Sequence, residues 1–281
     1  NGRVVDTCGT GGDIVKSFNV STASAIVIAG AGAYVAKHGN RSVTSKSGSA
    51  DVLESLGVNL DVSPSKTEEM IEQIGIGFLF APKLHPAMKY AKEPRRDIGI
   101  RTVFNILGPL TNPARVDAQV LGVYSESLVE PLAEVVKNLG SKEAIIVHGS
   151  GGLDEISTFG PTKMAWVRNG NISTSELNPE TLGIAKARPE EIVGAGPEHN
   201  AKLMVRILKH GIKSDIPRGD MILVNAAAGI IVGGLSDSFL EAIEVAKESI
   251  NSGKAFSKLK DLVSASGGDS SRIEELEAEH E

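Results

Sequence analysis

The run Arg3-Val-Val-Asp-Thr-Cys-Gly-Thr-Gly-Gly-Asp13 joins a strand-length apolar segment to a glycine-rich turn. Ser21–Gly32, made of small and branched residues, follows as a helix. The β-loop-α order then repeats. Ala33–Ala36 reads as a short strand and Ser49–Leu56 as a helix with Val52, Leu53 and Leu56 on one face. Ser65–Ile74 is a helix opened by Ser63-Pro64, and Ile76–Phe80 is a strand. After an interruption, Ala118–Tyr124, Glu130–Leu139 and Glu143–Val147 resume the alternation. This repetition predicts an α/β fold, a large domain with a mainly parallel central sheet flanked by helices. Met164–Arg168 and Ile172–Leu177, joined by Asn169-Gly170, read as an antiparallel hairpin. Three helices, Glu198–His210, Gly219–Val232 and Asp237–Ile250, are expected to close the chain, with polar Ser264–Glu281 fraying.

The interruption, Ala81–Asn105, carries prolines at 82, 86 and 94 and six basic residues in a helical pattern with no strand. Residues 81–111 are therefore read as a helical excursion and hinge toward a small helical domain, with 1–80 and 112–281 forming the α/β domain. Gly108–Pro113 reads as a turn-rich loop.

A chain of 281 residues can bury a sizeable core without disulfides or a structural metal. Its net charge of −6 argues against a nucleic-acid binder, and 4% aromatics are too few for base-stacking platforms. Cys8, the sole cysteine, excludes an internal disulfide and a cysteine-rich zinc site and fits a reducing cytoplasm. The longest apolar run, Met221–Leu235, is broken by Asn225, Gly229, Gly233 and Gly234 and is too short to span a bilayer. No signal peptide is visible. The opening on Asn1, with a strand directly after it, suggests that a segment upstream was removed or never included.

Four segments could carry chemistry. In Asp6–Asp13 the glycines let backbone N–H groups approach an anion, and the helix start that follows, with Asn19, Ser21 and Thr22, adds donors. The segment is neither a Walker A loop nor a dinucleotide fingerprint, and a tight turn with a helix cap is its plain alternative. Lys37-His-Gly-Asn-Arg41 and Ser45–Asp51 gather Lys37, Arg41 and Lys46 with an imidazole, an amide and hydroxyls, suited to a second phosphate or carboxylate; the alternative is a solvated loop. Two such loops after neighbouring parallel strands fall on the sheet edge where ligands bind. His85 and Arg95 could close over a carboxylate, although their spacing alone reads as ordinary helix surface. Asp154 and Glu155, in a glycine-rich loop after a strand, suit Mg²⁺ or simply form a charged turn. Cys8 and Trp166 read as packed side chains outside any site. These residues alone describe a Mg²⁺-dependent enzyme acting on a phosphorylated sugar.

Together and in order, Gly9-Thr-Gly-Gly-Asp13, Lys37-His-Gly-Asn-Arg41, Ser47-Gly-Ser-Ala-Asp51, Phe104-Asn-Ile-Leu-Gly-Pro-Leu-Thr-Asn-Pro113 and Gly152-Leu-Asp-Glu155 resemble the anthranilate phosphoribosyltransferase family. The resemblance runs from about residue 3 to 250. It implies the nucleoside phosphorylase-like phosphoribosyltransferase fold, a cytoplasmic enzyme of tryptophan biosynthesis, and transfer of the phosphoribosyl group of 5-phosphoribosyl-1-pyrophosphate to the amine of anthranilate. Carried over, Gly9, Gly11, Gly12, Asp13, Asn19, Ser21, Thr22, Lys37 and Ser49 meet phosphoribosyl pyrophosphate. Gly9, His38, Asn40, His85, Arg95 and Gly108 surround anthranilate, with Arg95 on its carboxylate. Ser21, Asp154 and Glu155 hold Mg²⁺, and no residue is assigned as general acid or base. The family also has N-terminal helices in the small domain, which this chain lacks and which supply the homodimer contact. Thr44 stands where serine is commoner. The competing readings are a pyrimidine nucleoside phosphorylase-type enzyme and a non-catalytic, nucleic-acid-binding homologue.

Overall fold

β1 (Val4–Gly9), β2 (Tyr34–Gly39), β3 (Ile76–Phe80), β4 (Ala118–Gly122) and β5 (Glu143–Gly149) run parallel in one sheet. β6 (Thr162–Arg168) and β7 (Asn171–Leu177) extend it antiparallel, giving the order β3-β2-β1-β4-β5-β6-β7. The structure, a computed structural model, describes residues 2–12, 15–42, 46–88, 90, 97 and 102–278. Asp13, Thr44 and Arg95 lie outside the described residues. The strand order turns back at β1, which has β2 on one side and β4 on the other. Loops leaving the carboxyl ends of β1 and β4 diverge at such a switch point, and a crevice opens between them.

Alternation along β5 explains its continuous burial. Ile145 and Val147 join the larger core, whereas Ala144 and Ile146 join a second core beneath α6 (Val129–Asn138). Residues two apart share a face, so each face of the strand is covered. On the larger side α1 (Val20–Gly30) packs against α8 (Ile216–Val232) and α10 (Lys254–Ala265). Small residues permit this close approach: a Cβ on Gly229 would strike Ile28, and one on Gly30 would strike Ser249 and Ala255. The apolar Met221–Leu235 run is thus mostly a core helix, and no described helix is long and apolar enough to cross a membrane.

α2 (Ser49–Ser55) and α3 (Pro64–Ile74) form where the spacing predicts. Ser63 caps α3, its hydroxyl accepting from the Lys66 N–H at 3.2 Å. The hairpin turns on Asn169 and Gly170, both at positive φ. α7 (Pro197–His210) and α9 (Phe239–Asn251) also match, within two residues at each end.

Two expectations are corrected. Gly108 and Pro109 lie within a helix, Phe104–Leu110, rather than in a turn-rich loop. Proline is tolerated there because the helix has barely two turns, so few N–H bonds are lost. The chain also closes with five helices among the described residues, adding Lys254–Ala265 and Ser271–Ala278 to the expected three. Ser264–Glu281 does not fray through its described part: Ile273 and Leu276 are buried, and Arg272 clasps both Glu198 oxygens at 2.8 and 2.9 Å. Two apolar residues three apart suffice to dock a short helix when its other residues face water. Within 81–111, the described elements are helical: Ala81–Leu84, the single turn Pro86–Met88, and Phe104–Leu110.

Candidate active site

Asp154 follows β5 and folds back across the ends of β1 and β4. Its carboxylate accepts from the Gly11 N–H at 2.7 Å. Neither strand end could carry a side chain here. A Cβ on Gly9 would strike the Asp154 carboxylate, and one on Gly122 its backbone carbonyl. Gly11 and Gly12 both take positive φ, a conformation side chains resist. The loop is pinned further by Thr10, whose N–H donates to Gly122 O at 3.0 Å and whose hydroxyl accepts from Tyr124 N at 3.0 Å. Burial pushes the Asp154 carboxyl above the usual carboxylate range, with the Gly11 N–H opposing. Beside it, the Glu155 carboxylate accepts from the Ser17 hydroxyl at 2.9 Å. Ser21, Asp154 and Glu155 line one cavity together with Thr7, Cys8 and Asn225.

Lys37 points inward from β2. Its ammonium donates to Thr7 O at 2.6 Å and Ser21 Oγ at 3.3 Å. Burial lowers its pKa, and the neighbouring Asp6 carboxylate resists that shift. Asp6 is itself raised by burial and held down by Lys37, by the Asn112 amide at 2.8 Å and by the His38 N–H at 3.2 Å. Asn19 caps α1 without bonding its N–H groups; its amide instead pairs with Ser47. Thr22 is buried on α1, and its hydroxyl has no partner among the described residues. Ser49 opens α2 and donates to Asn40 O at 3.3 Å.

On the far side of β2, the His38 and His85 rings meet edge to face, centroids 5.1 Å apart. Each leaves a buried Nε2 without a hydrogen-bond partner among the described residues. Burial, then His85, brings the His38 pKa down to about 4, against the opposing Gly108 carbonyl. His38 is therefore neutral near pH 7. Asn40 is exposed at the mouth. Arg41 does not join this cluster: its guanidinium is committed to Asp51 at 3.1 Å and Glu54 at 2.7 and 2.9 Å.

A carboxylate pair, a glycine cradle, a buried lysine and two facing imidazoles thus meet along one sheet edge. The family model described as "Glycosyl transferase family, a/b domain" matches residues 1–256. The anthranilate phosphoribosyltransferase of Acetivibrio thermocellus is 52% identical over 259 residues, covering 92% of this chain and 74% of that protein. The chain belongs to the anthranilate phosphoribosyltransferases. The Thermus thermophilus member superposes with a TM-score of 0.89 at 42% identity, covering 94% of this chain and 78% of that one. The Saccharomyces cerevisiae member, solved in complex with PRPP and Mg, gives a TM-score of 0.87 at 33% identity over 94% of this chain and 74% of that one. The same yeast enzyme is also solved with 4-fluoroanthranilate. Membership in this family sets aside the nucleoside phosphorylase and nucleic-acid-binding readings.

Sequence reasoning missed the residues that hold this sheet edge from behind. Gln119 donates to Pro109 O at 2.7 Å and Cys8 Sγ at 3.3 Å, tying the Phe104–Leu110 helix to the sheet. Asn112 donates to Asp6 and to Ala36 O at 2.9 Å. Asn225 donates to Ile156 O at 3.0 Å and accepts from Ile156 N at 2.9 Å, steadying the chain just past Glu155. Their signal was faint: single amides, two inside an apolar strand or helix and Asn112 in a loop, costly to bury without a partner.

Proposed function

We propose that this sheet edge carries out the anthranilate phosphoribosyltransferase reaction of tryptophan biosynthesis, the activity of the family to which the chain belongs. The observation that supports it most is the cavity shared by Ser21, Asp154 and Glu155 at the ends of β1, β4 and β5. In this reading Gly9, Gly11, Gly12 and Asp13 receive pyrophosphate and ribose oxygens. Asn19, Ser21, Thr22 and Ser49 hold phosphoryl groups. Lys37, buried beneath Ser21, supplies its positive charge through that hydroxyl.

Ser21, Asp154 and Glu155 form an all-oxygen donor set, and burial leaves the Asp154 charge poorly compensated, so these residues fit Mg²⁺. When bound, the ion would neutralise charge on the departing pyrophosphate. The chain's own residues contribute positioning and electrostatics. Breaking the ribose C1–O bond builds positive charge on the sugar and negative charge on the leaving group, so aimed donors matter more than a strong base. Anthranilate's amine attacks C1 already unprotonated as the C1–O bond to pyrophosphate breaks, and the proton it sheds on forming the C–N bond passes to the departing pyrophosphate or to water. His38, neutral by burial, offers it an imidazole without a competing cation, flanked by His85, Gly9, Asn40 and Gly108. Arg95 faces the carboxylate. The small helical domain including 81–111, and assembly as a homodimer, belong to the same reading.

The test is loss of anthranilate fluorescence on adding phosphoribosyl pyrophosphate and Mg²⁺. A Mg²⁺-dependent decay, reduced at least about 100-fold by Asp154→Ala or Arg95→Ala, is expected on the scale of a lost transition-state contact. A decay unchanged in both variants would refute these assignments.

A further inference from the structure

Asn200 lies near the start of α7, in the half of the chain without a decisive motif, and is 1% exposed. Its Nδ2 donates to Asn19 Oδ1 at 2.9 Å. Ser47 Oγ donates to the same oxygen at 2.9 Å, while Asn19 Nδ2 returns a bond to Ser47 O at 3.1 Å. Two donors on Oδ1 fix which way the Asn19 amide faces and leave its second N–H free of these bonds. They also hold the side chain off the end of α1, where an N-cap asparagine ordinarily bonds the helix N–H groups. Asn200 is anchored in turn: its Oδ1 accepts from Ala195 N at 2.9 Å. The same segment lies along the stretch leading into α1, with Gly194 N donating to Lys16 O at 2.8 Å and Phe18 N to Ile192 O at 3.3 Å. Gly194 has no room for a side chain, since a Cβ there would sit 2.6 Å from Phe18 Cα.

We infer that Asn200 is a positioning residue for the phosphoribosyl group: it orients the Asn19 amide so that an N–H, not the carbonyl, faces the ligand, and it keeps the α1 N-terminus open to an anion. The inference rests on Asn19 meeting phosphoribosyl pyrophosphate. Nothing in it involves the anthranilate side.

Asn200→Asp is the sharpest test, because it keeps shape and the acceptor toward Ala195 N while removing the donor toward Asn19, along with the long 3.4 Å bond to Ala195 O. Ser47→Ala, which removes the other donor to the same oxygen, is the companion should Asn200→Asp fail to fold. Binding of phosphoribosyl pyrophosphate with Mg²⁺ is measured by calorimetry on the intact chain, and KM for both substrates in the fluorescence assay. Asn200→Asp should weaken phosphoribosyl pyrophosphate at least about tenfold, and Ser47→Ala about threefold, with the anthranilate KM within twofold. Each loss is on the scale of one lost hydrogen bond. In an Asn19→Ala background the Asn200→Asp penalty should vanish, the mark of an effect routed through Asn19. An equal penalty in that background, or equal changes in both KM values, overturns the inference and leaves the wider functional reading standing. A wild-type chain that binds no phosphoribosyl pyrophosphate overturns both.

Discussion

Two buried carboxylates bracket the same stretch of chain and are treated in opposite ways. Glu143 begins β5 and is 1% exposed; Asp154 follows that strand and is 9% exposed. Glu143 meets Arg3 at 2.5 Å, Arg168 at 3.5 Å and the Trp166 indole N–H at 3.0 Å, so its charge is consumed within the fold. Asp154 is given a backbone N–H and two strand ends stripped of side chains. A fold that surrounds one acid with cations and another with glycines is clamping itself at the first and keeping charge available at the second. Burial alone does not mark a functional acid; the absence of a close ion pair does, and among the described residues Lys16 and His148 act on Asp154 only at longer range.

The comparison breaks most readily at Gly122. Gly122→Ala forces a methyl onto the Asp154 carbonyl, and the chain past β5 must shift. Activity should fall below detection and stability by about 3 kcal/mol, the upper range for overpacking, read by denaturant melts and the fluorescence assay. Full activity in Gly122→Ala would mean that the close approach of Asp154 to the sheet is incidental.

Neutralising each acid in turn sharpens the contrast. Glu143→Gln removes the charge facing Arg3 and Arg168, although Arg168 keeps Asp237 and Arg3 keeps Val232 O, and should cost about 2 kcal/mol, less than a fully buried pair because both arginines are partly exposed, with kcat near wild type. Asp154→Asn should do the reverse, removing activity while leaving the ligand-free protein as stable as wild type or more so. The sign follows from the raised Asp154 pKa. A folded state that holds its proton more tightly loses stability as pH rises above the unfolded carboxylate value, so the charge opposes folding wherever it forms. Equal losses of stability in the two variants would erase the distinction.

A separate contrast, read only through pH, is the response of His38 beside His85. Its pKa falls from 6.5 to about 4 on folding, which corresponds to about 3 kcal/mol. For a depressed histidine that stability is present above pH 6.5 and lost as pH falls through about 4. Wild type should therefore lose more stability than His38→Asn between pH 7 and 4, by up to that amount, in parallel chemical melts. Coincident profiles would place His38 in contact with water.

Short apolar runs in β-loop-α order made the strands and most helices readable, because covering a parallel sheet on both faces leaves continuous apolar runs. The glycine loop was readable because backbone at positive φ and close approach admit little else. The final helix was not, since Ile273 and Leu276 give too weak a pattern until α7 presents Glu198 to Arg272. Arg41 misled, because a basic residue in a polar loop carries no sign of the Asp51 and Glu54 carboxylates that claim it.

Sequence by itself determined the α/β alternation, the glycine cradle, the acid pair and the family, since each is written in short-range spacing. Tertiary structure alone decided which charges remain available. Arg41 and Glu143 are neutralised by residues up to 140 positions away, while Asp154 is left on glycines and Asn19 is turned by an amide 181 residues later. Electrostatic partnership depends on distance in space, and a parallel sheet brings together side chains that the sequence holds far apart.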